Sequence, residues 1–240
     1  MSGHSKWATT HRQKAIVDAK RGAVFTKLAN IITIAARERG GDPNANASLR
    51  LAIDKARMSN MPKDNIDRAI KRGTGELGGA QVEELYYEGL GPVGVQFIVK
   101  CLTDNKNRSA SSVRHLFTKV GGSFGSVMWN FSQLGVIRIN QEELQAKNIN
   151  SDDLELALID EGIIDFQKEV EGITIYTLAH DLHKIREQLE SRNLKITSAD
   201  LEYVAKEKVR LVAEGQEKID KFMEELEDNE DINDYYTNLA

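Results

Sequence analysis

A chain of 240 residues, 40% of them apolar, is long enough to fill more than one packed core. One cysteine, Cys101, excludes an internal disulfide and a multi-cysteine zinc site, and no apolar run is long enough to span a bilayer. The net charge of −5 conceals a division: residues 1–72 hold 15 Lys and Arg against 6 Asp and Glu, a balance of +9, and the rest carries −14. Such asymmetry points to contact with nucleic acid, or to two surfaces of opposite sign that attract each other. The polar start, MSGHSKW, is no signal peptide, so the expected location is cytoplasmic.

Residues 1–18 carry Lys6, Trp7, His11, Arg12 and Lys14 with almost no apolar pattern. They read as a basic arm whose cations can follow phosphates and whose Trp7 can stack on a base or pack back on the protein. From Asp18 to Arg39 the spacing of Val24, Leu28, Ile31 and Ala35 predicts a helix with one buried face, with Lys20, Arg21 and Lys27 elsewhere on its surface. Gly40-Gly41-Asp42-Pro43 ends it. Leu49, Ala52, Ile53 and Ala56 predict a second helix, which Met61-Pro62 stops. Ile66, Ala69 and Ile70 predict a third, with Gly73 as its C-terminal cap. Their polar faces carry Arg50, Lys55, Arg57, Lys63, Arg68, Lys71 and Arg72. Three thin apolar stripes make one small core only by packing together, so the expectation is a three-helix bundle, cationic outside. If about five of these cations met phosphates, log affinity for duplex DNA would fall against log salt with a slope of about −4.5.

These residues also resemble a known family. GHSKW at Gly3–Trp7, the run from Asp18 to Pro43, and NMPKDNIDRAIKRGTG at Asn60–Gly75 are similar to the N-terminal signature of the YebC/PmpR family. Thr103-Asp104-Asn105-Lys106-Asn107-Arg108 also resembles a family segment. The match departs at Ala23, where a basic residue is usual after Arg-Gly, and in Trp7–Lys14. The resemblance implies a three-domain, non-enzymatic cytoplasmic protein. Members are described as probable transcriptional regulators that bind DNA; others, the mitochondrial relatives among them, as translational activators acting at the ribosome.

Gly73-Thr74-Gly75-Glu76-Leu77-Gly78 fits G-x-G-x-x-G in letters, but a helix precedes it where a dinucleotide site needs a strand. It reads as a linker and a hinge. Beyond it, Glu83–Glu88 and the alternating run from Val95 to Leu102 predict strands, with Cys101 on the more apolar face as an inert buried thiol. A helix follows over Asn107–Val120, then a strand over Ser123–Asn130. Leu134–Asn140, Ile163–Lys168, Gly172–Leu178 and Ala199–Ala205 read as strands; Ser151–Glu161 and Asp181–Arg192 read as helices. Gln216–Asp228 is amphipathic, and Ile232–Thr237 reads as a last strand.

The expected fold class is multidomain α+β: an N-terminal three-helix bundle, then two small α+β, ferredoxin-like domains, the third inserted in the second. The expected boundaries are 1–78, 79–133 with 206–240, and 134–205. His180 and His183 share a helical face, but no third or fourth metal ligand joins them. Ser109, Ser111, Ser112 and His115 lack a nucleophile elbow. The expectation is therefore a protein with no catalytic residues, cofactor or metal, and no membrane partner, and one that is monomeric. It would bind nucleic acid through the arm and bundle, as a DNA-binding regulator of transcription or as a translation factor on ribosomal RNA. No recognition-helix pattern is evident, so backbone binding is better supported than base reading.

Overall fold

The computed structural model describes residues 21–211 and 213–240. Two compact units divide the chain: residues 1–128 with 208–240, and Trp129–Glu207.

The first unit opens with three helices, α1 (Arg21–Arg39), α2 (Ala47–Met58) and α3 (Lys63–Gly73). Their common core is Leu28, Ile32, Ala35, Ala36, Leu49, Ala52, Ile53, Ala56, Met61, Ile66 and Ala69. Six of these are Ala or Met, so the helices approach closely. The stripes of α2 and α3 are buried as their spacing predicts, with Ile70 only partly covered. The stripe of α1 differs. Ile32 and Ala36 are its most buried apolar residues, whereas Val24 and Ile31 are half-buried. The reason is that α1 is covered on two sides, by α2 and α3 and by a strand of the following sheet.

That sheet has the order β3-β1-β2-β8, all antiparallel, from β1 (Glu83–Leu90), β2 (Gln96–Thr103), β3 (Ser123–Phe124) and β8 (Ile232–Thr237). Two helices, α4 (Lys106–Lys119) and α8 (Ala213–Asp228), cover one face. Phe97, Phe117 and Phe222 meet edge-to-face there, with centroids 5.0 to 6.2 Å apart. Cys101 is buried in this core, and burial pushes its thiol pKa up to about 12. Ile98 and Leu102, on the other face of β2, are buried as well, and α1 lies against this strand. The strand over Ser123–Asn130 shrinks to Ser123–Phe124. Past Gly125 the backbone wraps the Glu88 carboxylate, which accepts from the Val127 and Met128 amides at 2.8 and 2.7 Å. That local anion-binding turn replaces ladder pairing.

The second unit is formed by β4 (Phe131–Asn140), α5 (Gln141–Ala146), α6 (Ser151–Ile159), β5 (Asp165–Lys168), β6 (Gly172–Leu178), α7 (Leu182–Ser191) and β7 (Ser198–Ala205). Its order, β5-β6-β4-β7, splits both β–α–β connections, which is ferredoxin-like. The first sheet is layered in the same way but begins with the β1–β2 hairpin. Short α5 carries no full apolar period and is not evident from spacing. The α6 cap is Asn150, which accepts from the Asp152 amide at 2.9 Å, so the helix is capped one residue before Ser151. One sheet face packs Ile137, Ile139, Ile173 and Ile175 under the helices. A buried two-pronged pair, Arg138 to Glu202 at 2.6 and 2.9 Å, joins β4 to β7. The molecule is thus multidomain α+β with the third domain inserted in the second. Among the described residues no helix is long and apolar enough to cross a membrane.

Candidate nucleic-acid interface

The bundle is held in shape by polar groups as well as by its core. Asn46 is fully buried and does three things at once. Its Oδ1 accepts from the Leu49 amide at 3.0 Å, capping α2, while its Nδ2 donates to the carbonyls of Ala35 and Gly40, both at 2.8 Å. The end of α1 and the start of α2 are therefore stitched by one side chain. Its sequence signal was an Asn just before an apolar run, which marks helix starts. Asn60, at φ 56°, turns the chain out of α2 toward Pro62. Gly73 is the last residue of α3 rather than a cap beyond it. A Cβ there would lie 2.4 Å from the Thr33 carbonyl oxygen and 2.7 Å from Ala36 Cβ, so glycine serves the close approach of α3 to α1.

On this scaffold Arg50, Lys55, Arg57, Lys63, Arg68 and Lys71 are exposed. Among the described residues Lys55, Lys63, Arg68 and Lys71 form no ion pair. Arg57 meets Asp54 of its own helix at 3.5 Å, an exposed pair that contributes little. Among the described residues Arg50 reaches only the Pro43 carbonyl, at 3.4 Å. Exposed Arg39, at the end of α1, extends the cationic surface and is absent from the residues picked out by spacing. Lys6, Trp7, His11, Arg12, Lys14 and Lys20 lie outside the described residues, as does the side chain of Arg21.

Two of the cations face inward. The Lys27 ammonium donates to the Glu227 carbonyl, and desolvation lowers its pKa although Glu227, Asp228 and Asp234 oppose the shift. Arg72 is half-buried and donates to Asp104 at 2.9 Å and to the Ala80 carbonyl at 3.1 Å. Its hydrogen bond holds the Asp104 carboxyl below the usual carboxylate range. Asp104 also accepts from Arg108 at 3.1 Å, and Arg108 forks onto Asp231 at 2.7 and 3.1 Å. This Arg72–Asp104–Arg108–Asp231 chain fastens the bundle to the first sheet. The Thr103–Arg108 segment stands out in the sequence by its resemblance to a family segment, which does not disclose this role. Its signal was an Asp and an Arg four residues apart around a capping Asn105. Asn30 donates to the Leu102 carbonyl of β2 at 2.9 Å and Arg37 to the Val82 carbonyl, just past the glycine linker, at 2.5 Å, so α1 is tied to the sheet region at two points. The next element after the linker is β1, not the helix a dinucleotide site requires.

The other constellations are scattered. His180 and His183 are exposed beside Asp181 and Glu187. Ser109 is buried in α4, and Ser112 accepts from Asn229 Nδ2 at 2.6 Å. Among the described residues no group of three or more His, Cys, Asp or Glu is placed to hold a metal ion.

Comparison with known proteins places these features. Residues 5–76 match the family described as the TACO1/YebC protein N-terminal domain, and residues 82–239 match the TACO1/YebC second and third domain. A probable transcriptional regulatory protein of Thermoanaerobacter pseudethanolicus is 45% identical over 242 residues, covering 100% of this chain and 97% of its own. One from Bacillus licheniformis is also 45% identical, covering 100% of both chains. The crystal structure of a conserved hypothetical protein from Aquifex aeolicus superposes with a TM-score of 0.79 at 38% identity, covering 94% of this chain and 93% of that one.

Proposed function

We propose that this chain, which belongs to the TACO1/YebC family, is a non-enzymatic regulator of gene expression that grips nucleic acid by its phosphates. The grip comes from the exposed cations of α2 and α3, helped by the basic arm at residues 1–18. The observation that carries this reading is the set Lys55, Lys63, Arg68 and Lys71, exposed and without ion pairs among the described residues while acidic residues predominate in the rest of the chain. Free cations on a rigid base release counterions from a polyanion at little ordering cost. The names of the relatives support regulation of transcription, hence DNA as the first target.

A second reading, a translation factor on ribosomal RNA, is favoured by the outer face of α3. Asp64 and Asp67 share that face with Lys63, Arg68 and Lys71. Carboxylates there oppose burial of α3 in a DNA groove. Gripping by shape and phosphate, as on an RNA duplex, tolerates them at the edge of the contact.

The test is the triple variant Lys55→Glu, Lys63→Glu, Lys71→Glu. All three side chains are exposed, so the melting transition should stay within a few degrees while binding to DNA and RNA duplexes falls at least tenfold. Unchanged binding rejects the assignment. Protection of a defined DNA segment at physiological salt, against co-sedimentation with ribosomes, then separates the two targets.

A further inference from the structure

We propose that the groove between α1 and α3 receives one unpaired nucleotide of the nucleic acid held by the adjacent cations, which rests on the reading above. The groove is a cavity of about 240 Å³. Phe25, Met61 and Ala69 form its apolar part, and Asn65, Arg68 and Arg72 supply its polar groups. The volume is below the roughly 300–1,000 Å³ of sites for drug-sized ligands. It suits a flat ring, not a dinucleotide.

The chemistry of the lining narrows the ligand further. An apolar floor beside the half-buried Phe25 ring rewards a planar aromatic group and gives nothing to a bare phosphate. At the rim, the Asn65 amide has no hydrogen bond among the described residues, so it can both donate to and accept from a base edge. Arg68 is exposed and makes no ion pair among the described residues, and it carries the charge that a nucleotide's own phosphate requires. Arg72 is held by Asp104 and the Ala80 carbonyl and serves as a fixed wall of the groove, its charge balanced by the Asp104 carboxylate. Hydrophobic floor, bifunctional amide and the Arg68 guanidinium together describe a base with its phosphate. A base inside a duplex cannot reach this floor, so the ligand is a bulged, looped or terminal nucleotide.

The experiment measures fluorescence anisotropy of the full chain at physiological salt against three probes, each made in DNA and in RNA: a paired duplex, the same duplex with a one-nucleotide bulge, and that bulge made abasic. The expected result is that the bulge binds about tenfold tighter than the duplex, the scale of stacking one base on an aromatic ring, and that the abasic bulge falls back to duplex affinity. Asn65→Ala removes the base-edge partner, and Thr26→Trp fills the groove from its wall; both should abolish the preference for the bulge and keep duplex affinity. Salt-sensitive duplex binding with no preference for the bulge overturns the groove assignment and leaves the phosphate grip standing. No binding to any probe overturns both.

Discussion

Gly73 illustrates how one residue can be located correctly for an incomplete reason. A glycine near a helix end reads locally as a cap. Its cause here is the Thr33 carbonyl, forty positions back, against which any Cβ would press. Gly73→Ala should therefore destabilise the chain by about 1–3 kcal/mol, the usual cost of forcing atoms into a packed contact. Urea unfolding reads this directly, and a variant as stable as the parent would show that α1 and α3 are not so close. Asn46 is the converse. Its cap was open to local pattern, but its two further hydrogen bonds were not, because they depend on where Ala35 and Gly40 end up. Lys27 and Arg72 carry the same lesson for function. Spacing ranks them with the other cations of the bundle, and only the assembled fold turns them toward Glu227 and Asp104.

At the scale of elements, a helix with a single buried face shows its buried positions in its spacing, whereas an element covered on two sides is legible as an element but not in all of its buried positions. The buried positions of α2 follow from period alone. Those of α1 do not, because β2 covers its second side, just as α1 explains why Ile98 and Leu102 are buried on β2. The short irregular return at Ser123–Asn130 was also hidden, since Glu88 organises it through side-chain acceptance that no strand pattern encodes. The tie between α3 and the first sheet has a pH signature. Arg72 depresses the pKa of Asp104, so the ionised form is favoured by folding. That contribution is complete above the ordinary Asp value of about 4 and is lost as pH falls through the depressed value. Unfolding of the parent and of Asp104→Asn should therefore differ at neutral pH, and the gap should close as the pH falls from about 4 toward the depressed value at which folded Asp104 takes up its proton. A gap of constant size down to the acid limit would mean the ion pair does not tie the bundle.

For the whole molecule the organising fact is the uneven placement of charge. Residues 1–72 carry +9 and the rest −14, a division visible in the composition. What composition could not tell is whether the body neutralises the head. Among the described cations of the bundle, the body engages Lys27, Arg37 and Arg72, while Lys55, Lys63, Arg68 and Lys71 on α2 and α3 are exposed and form no ion pair with described residues. The acidic remainder would then repel phosphate and favour approach of a polyanion to the bundle alone. The measurement that tests this most directly is the salt dependence of binding to a paired DNA duplex. With Arg50, Lys55, Lys63, Arg68 and Lys71 meeting phosphates, log affinity against log salt should fall with a slope of about −4.5, or more steeply if the arm adds contacts. Binding that persists with a slope shallower than about −1 would mean that no row of cations meets the phosphates, and the account would be contradicted.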